Sequence, residues 1–127
     1  MFEKTYQILF GHWLKARWGG SGIFELKAAR NGISLPFSEV KEHQITALKA
    51  ANEGGRGLYY KIPDSGMGWK PADCFILRDI PAFVVIFFSR KEFYMISIAS
   101  FIKARAEMKR KSFRREDCIK IGIKCSL

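Results

Sequence analysis

The chain has little of what would mark it as disulfide-stapled, zinc-binding or thiol-dependent. Its 127 residues hold three cysteines, Cys74, Cys118 and Cys125, an odd number with no C-x-x-C pair. That argues against a disulfide framework or a zinc knuckle, and a reducing cytoplasm fits best. There are only two histidines, His12 and His43, and neither has a cysteine partner in the pattern, so a Cys–His enzyme is not expected. Residues 1–17 lack a signal-peptide layout. The longest apolar run, Ile80 to Phe88, contains Pro81 and falls far short of the roughly 20 residues that a membrane-spanning helix needs. No membrane partner is therefore expected. Repeats and low-complexity tracts are missing. The Gly54-Gly55-Arg56-Gly57 cluster lies between a helix and a strand, the reverse of the order in a phosphate-binding loop.

Acidic residues are scarce as well. Twelve Asp and Glu stand against 22 Lys and Arg, a net charge of +10 and a pI near 9.8. In a chain this short the excess points to a polyanionic partner, with nucleic acid ahead of a membrane surface. The charge is uneven, because residues 103–124 hold nine Lys and Arg but only Glu107, Glu116 and Asp117. Lys103, Arg105, Lys109, Arg110, Lys111, Arg114 and Arg115 are the candidate DNA contacts. Apolar residues make up 48% of the chain, and its 11 phenylalanines can fill one core, so residues 1–127 are expected to form a single domain.

The hydrophobic pattern predicts an α/β order. Phe2, Tyr6, Leu9, Phe10, Trp13 and Leu14 recur at helical steps, so residues 2–17 read as a helix ended by Gly19, Gly20 and Gly22. A strand follows over about 22–29, then a turn at Asn31-Gly32. A second helix is expected from about Glu39 to Asn52, capped by Ser38 and stopped by Gly54-Gly55. Further strands are expected near 57–62, 73–78, 82–88 and 93–98, with 82–88 central because it is apolar on both faces and 93–98 on the outside. A basic helical segment should occupy about 100–127.

The first strand carries the chemistry. In Phe24-Glu25-Leu26-Lys27-Ala28, alternation puts Glu25 and Lys27 on one face and the apolar residues on the other. A carboxylate and an ammonium together on an apolar strand suggest metal-assisted cutting of a phosphodiester, with Mg²⁺ or Mn²⁺ on the acid. Gln44 falls on the apolar stripe of the second helix, with Val40, Ala47, Leu48 and Ala51, and needs hydrogen-bond partners there. His43, about 100° away, reads as a surface residue or one that supports the site from behind, not as a metal ligand. A metal site generally wants a second carboxylate, and Asp73, after Pro71-Ala72, is the better candidate. Asp64 and Asp79 read as turn residues, and Glu3 is a weaker alternative.

Phe24-Glu25-Leu26-Lys27-Ala28, Leu35-Pro36-Phe37-Ser38, Glu42-His43-Gln44 and Gly54-Gly55-Arg56-Gly57, in this order and spacing, resemble the middle of RecU-type Holliday-junction resolvases, of the PD-(D/E)XK nuclease superfamily. The resemblance covers about residues 22–62, with a looser echo at Phe93-Tyr94-Met95-Ile96. It implies a restriction-endonuclease-like α/β core with a central mixed sheet of about five strands flanked by helices. It also implies Mg²⁺-dependent cleavage of DNA, branched junctions included, and a homodimer. On that basis Glu25 and the Leu26 backbone carbonyl are metal ligands, Lys27 is the catalytic lysine and Gln44 supports the site. The family's aspartate normally precedes the ExK strand. Here the matching element is Pro71-Ala72-Asp73, expected to reach the same sheet position from later in the chain. The alternative is a catalytically inactive DNA-binding protein on the same fold.

Overall fold

A computed structural model describes residues 2–18, 22–63 and 72–126. Gly19 and Gly20, the side chain of Glu3, Asp64, and Pro71 with most of the loop before it lie outside the described residues. The chain is α/β, with helices on both sides of a mixed sheet. Its elements are α1 (Phe2–Arg17), β1 (Ile23–Ala28), β2 (Ser34–Pro36), α2 (Glu42–Asn52), β3 (Leu58–Lys61), β4 (Cys74–Leu77), β5 (Ala82–Phe87), β6 (Glu92–Ser97), α3 (Ile98–Glu107), β7 (Ser112–Arg114), α4 (Arg115–Ile121) and β8 (Ile123–Ser126). A short 3₁₀ turn, Phe37–Glu39, precedes α2.

Among the described residues the central sheet has four strands, in the order β1-β5-β6-β8, not about five. β5 and β6 are inside it, with every residue from Val84 to Phe87 and from Phe93 to Ile96 buried. β6 was expected on the outside. It is internal because β8, a segment expected to be helical, pairs antiparallel along it from Met95↔Ile123 to Glu92↔Ser126. The helical expectation for the C-terminal segment fails a second time at β7, which pairs with β2 through Leu35↔Phe113. Both residues are fully buried, so this small ladder carries apolar anchors into the core.

Strand alternation divides the core by face. Val85, Phe87, Phe93 and Met95 pack under α1 with Phe10, Tyr6, Trp13 and Leu14. Val84, Ile86, Tyr94 and Ile96 face α2, α3 and the β2–β7 ladder, meeting Ile45, Leu48, Phe101 and Phe113. The Asn31-Gly32 turn forms as expected, both residues having positive φ (54° and 67°), the geometry this pair adopts at little cost. Ser38 does not cap α2. The chain instead makes the 3₁₀ turn, buries Phe37 and Val40, and restarts at Lys41.

One polar cluster clamps the C-terminal elements to the sheet. Glu92 on β6 accepts a short hydrogen bond from Tyr94 and pairs with Arg115 of α4 at 2.9 Å. The Arg115 guanidinium also lies over the Phe88 ring, 5.3 Å from its centroid. The Tyr94 hydrogen bond, with Arg115 and Lys124 nearby, holds the Glu92 carboxyl below its ordinary value of 4.5. Burial and Glu92 push the Tyr94 phenol up to about 12, so it stays a donor. A carboxylate with a depressed pKa stabilises the fold above its ordinary pKa, and that contribution is lost as pH falls through the depressed value. Glu92→Gln should therefore cost about 1 kcal/mol at pH 7, the scale of a charged hydrogen bond partly open to water. The gap to wild type, read from urea melts, should close as pH falls below the carboxyl's ordinary value of 4.5 and through the depressed one. Phe101, fully buried between α2 and the ladder, should cost about 3–5 kcal/mol on truncation to alanine in the same assay.

Candidate metal and nucleic-acid site

β1 and β5 run parallel, with Glu25 opposite Val84 and Lys27 opposite Ile86. Those neighbours belong to the face covered by α2, so Glu25 and Lys27 point that way while Phe24 and Leu26 pack towards α1. The two charged groups meet, Lys27 Nζ lying 3.4 Å from Glu25 Oε2, with side chains 17% and 27% exposed. Gln44, in the first turn of α2, completes the group: its Nε2 donates to the same Oε2 at 3.1 Å. Its Oε1 accepts the Lys41 backbone N–H at 2.9 Å, which caps the start of the helix. One side chain thus ties the helix terminus to the strand. Glu25 Oε1 accepts no hydrogen bond from any described residue, which leaves one carboxylate oxygen for a ligand.

The backbone of β1 adds a second oxygen. Ile23 and Ala29 donate to Pro81 and Phe87 of the β5 side. Strand alternation therefore turns residues 23, 25, 27 and 29 towards β5 and the carbonyls of Phe24, Leu26 and Ala28 towards the other edge. That edge is the end of the sheet among the described residues. A cleft of about 460 Å³ wraps it, lined by Tyr6 and Leu26 from one side and Lys27, Ser38, Glu39 and Lys41 from the other. An oxygen-only donor pair at an open edge suits a hard cation such as Mg²⁺, which keeps several of its waters and takes few protein ligands. No cluster of three or more His, Cys, Asp or Glu able to hold a metal exists among the described residues.

Asp73 is not part of this group. It is exposed, just before β4, and its carbonyl accepts the Ile62 N–H across the β3–β4 hairpin. That hairpin forms its own two-stranded sheet and does not pair with β1, contrary to the expected placement beside the ExK strand. The reason lies at its base. The Asp79 and Ile80 N–H groups donate to the Glu53 and Ala51 carbonyls, which fastens the hairpin to the C-terminal end of α2. Gln44 is at the opposite end of that helix. Asp79 has a positive φ of 55°, as a turn residue can.

The basic segment is also more structural than its sequence suggests. Arg105 pairs with Glu42 at 2.7 Å, Arg110 with Asp117 at 3.2 Å and Arg115 with Glu92. Asp117 also caps α4 by accepting the Arg114 N–H at 2.8 Å. Lys103, Lys109, Lys111 and Arg114 are exposed. His43 is exposed, which fits a surface residue, and His12 is exposed as well. The thiols offer no nucleophile at the site: burial pushes Cys118 up to about 12 and raises Cys125, while Cys74 is exposed on the hairpin. Lys41 and Glu39, which line the cleft, were missed as site residues. Their only sequence signal was proximity to Ser38 and Gln44. No helix among the described residues is long and apolar enough to cross a membrane.

No protein-family model matches the chain, and a search of curated proteins finds no significant match.

Because Gln44 serves both the helix start and Glu25, Gln44→Met should cost about 1–2 kcal/mol in denaturant melts, more than an ordinary half-exposed polar substitution. Thr46→Ala on the exposed face of the same helix should stay within about 0.5 kcal/mol of wild type.

Proposed function

We propose that this protein is a divalent-metal-dependent endonuclease that hydrolyses phosphodiester bonds in DNA, with branched DNA such as Holliday junctions as its substrate. The observation that supports this reading most is the convergence of Glu25, Lys27 and Gln44 at an open sheet edge, with 3.4 Å and 3.1 Å contacts on a single carboxylate oxygen. The net charge of +10 agrees with a nucleic-acid partner.

Glu25 Oε1 and the Leu26 carbonyl are the groups that would hold Mg²⁺ or Mn²⁺. A bound ion supplies Lewis-acid polarisation of the phosphate and a water of lowered pKa. The protein's own contribution is positional. Gln44 and Lys27 grip Oε2 and fix the carboxylate, so Oε1 keeps one direction. The Lys27 ammonium, held beside Glu25 and facing the cleft, offsets charge on the phosphate oxygens and orients the attacking water. Asp73 would add a second carboxylate on movement of its hairpin towards β1. Two-fold symmetric cutting of a junction needs two sites, which a homodimer would provide. Three free cysteines suit the reducing cytoplasm.

The separate β3–β4 hairpin favours a second reading, a DNA-binding protein that does not cleave. One assay divides the two: incubation of a synthetic four-way junction with wild type, Glu25→Gln, Lys27→Ala and Asp73→Ala in Mg²⁺ or Mn²⁺. Wild type should cleave, and Glu25→Gln and Lys27→Ala should lose at least about 100-fold in rate with binding retained. A comparable loss in Asp73→Ala assigns it to the site, and an unchanged rate removes it. Wild type that binds the junction yet never cuts it leaves only the second reading.

A further inference from the structure

The cleft at the Glu25–Lys27 edge does not end there. A second cleft of about 610 Å³ is lined by Phe37, Ser38, Val40, Lys41, Glu42, Arg105 and Lys111. Ser38 and Lys41 line both, so the two meet across the turn that leads into α2. Lys111 is there because the β2–β7 ladder extends past its last paired residues: the Phe37 N–H donates to the Lys111 carbonyl at 3.0 Å. The path therefore runs from β1, over residues 37–41, to the start of β7.

Its charges sort into two groups. Each acid along the way has a cation of its own: Glu25 with Lys27, Glu39 with Arg30 at 2.6 Å, Glu42 with Arg105 at 2.7 Å. Those pairs cancel. Lys41 and Lys111 are exposed and make no ion pair with a described residue, the Lys41 ammonium reaching only the Ser38 carbonyl at 3.2 Å. The net positive charge of the double cleft is theirs. A channel that starts at a phosphodiester-cutting edge and carries two uncompensated lysines on its floor fits a run of phosphates.

Resting on the nuclease reading, we propose that the backbone of the cut strand leaves the Glu25–Lys27 edge along this double cleft, with Lys41 and Lys111 as its phosphate contacts. The exposed lysines of α3 and the loop after it, Lys103 and Lys109, then lie off the path. The ion-paired Arg110 and Arg115 serve the fold.

The test measures binding to a duplex of about 20 base pairs in EDTA across a salt series, so that cleavage plays no part. Each phosphate contact contributes about 0.9 to the slope of log K against log salt. Lys41→Ala/Lys111→Ala should have a slope shallower by about 1.8, and Lys103→Ala/Lys109→Ala should keep the wild-type slope. The arginine variants Lys41→Arg/Lys111→Arg should restore it. An unchanged slope in the first pair, or an equal loss in both alanine pairs, overturns the path. Because the metal is chelated throughout, a protein that binds along this route without cutting still gives the predicted slopes. The cleavage reading can therefore fail separately from the path.

Discussion

The parallel pairing of β1 with β5 constrains most of this molecule. Two parallel neighbours cannot be joined by a tight turn, so the chain between them must leave the sheet and return. Residues 29–81 make that excursion, and the one long element among its described residues, α2, has to bury Ile45 and Leu48 against the face it crosses. Once those residues dock on Val84 and Ile86, the first turn of α2 sits over the neighbouring strand, and Gln44 meets Glu25. The site follows from the crossover: the apolar stripe sets the helix position, and the one polar residue within that stripe, Gln44, lands on the strand's charged pair.

The same geometry explains why β1 can offer a backbone oxygen. As the end strand it satisfies only half of its peptide groups through β5, and the Leu26 carbonyl is on the other half. An open edge with apolar residues is ordinarily a pairing hazard. Here it is flanked by a cleft containing Lys27, Arg30 and Lys41, and charges of this kind discourage a second strand from adding. Elsewhere the chain uses its cations as clamps. Arg105, Arg110 and Arg115 each hold an acid from a different element, so the arginines of the basic tail serve partly as clamps while its lysines stay exposed.

Much of this was legible in the sequence where a single periodicity governed a segment. α1, β1 and the buried β5 are close to where helical spacing, alternation and an apolar run put them, and Gln44 stood out as a polar residue on an apolar stripe. The failures share a cause. β7 and β8 are only three and four residues long, too short for their alternation to stand out from the basic helical segment around them. Only pairing with β2 and β6, far away in sequence, makes them strands, and β6 was then misplaced at the edge. The cap at Ser38 failed because burial of Phe37 and Val40 outweighed a good capping residue. Asp73 was assigned by its neighbours in sequence, whereas its position depends on where the hairpin base is fastened to α2. That fastening is made by the backbone N–H groups of Asp79 and Ile80, with the Asn52 amide donating to the Ile80 carbonyl and the Arg78 guanidinium to the Gly55 carbonyl, contacts that no hydrophobic pattern announces.

Metal-dependent chemistry on this fold requires the corner formed by Glu25 and the Leu26 carbonyl to be a cation site, not a structural ion pair. Anomalous diffraction from a crystal soaked in Mn²⁺ locates the ion without reference to activity. The expected peak is bonded to Glu25 Oε1 and the Leu26 carbonyl oxygen and is absent from crystals of Glu25→Gln. A fully soaked wild-type crystal with no peak at that corner, or with its peak confined to other carboxylates, would contradict the cation site.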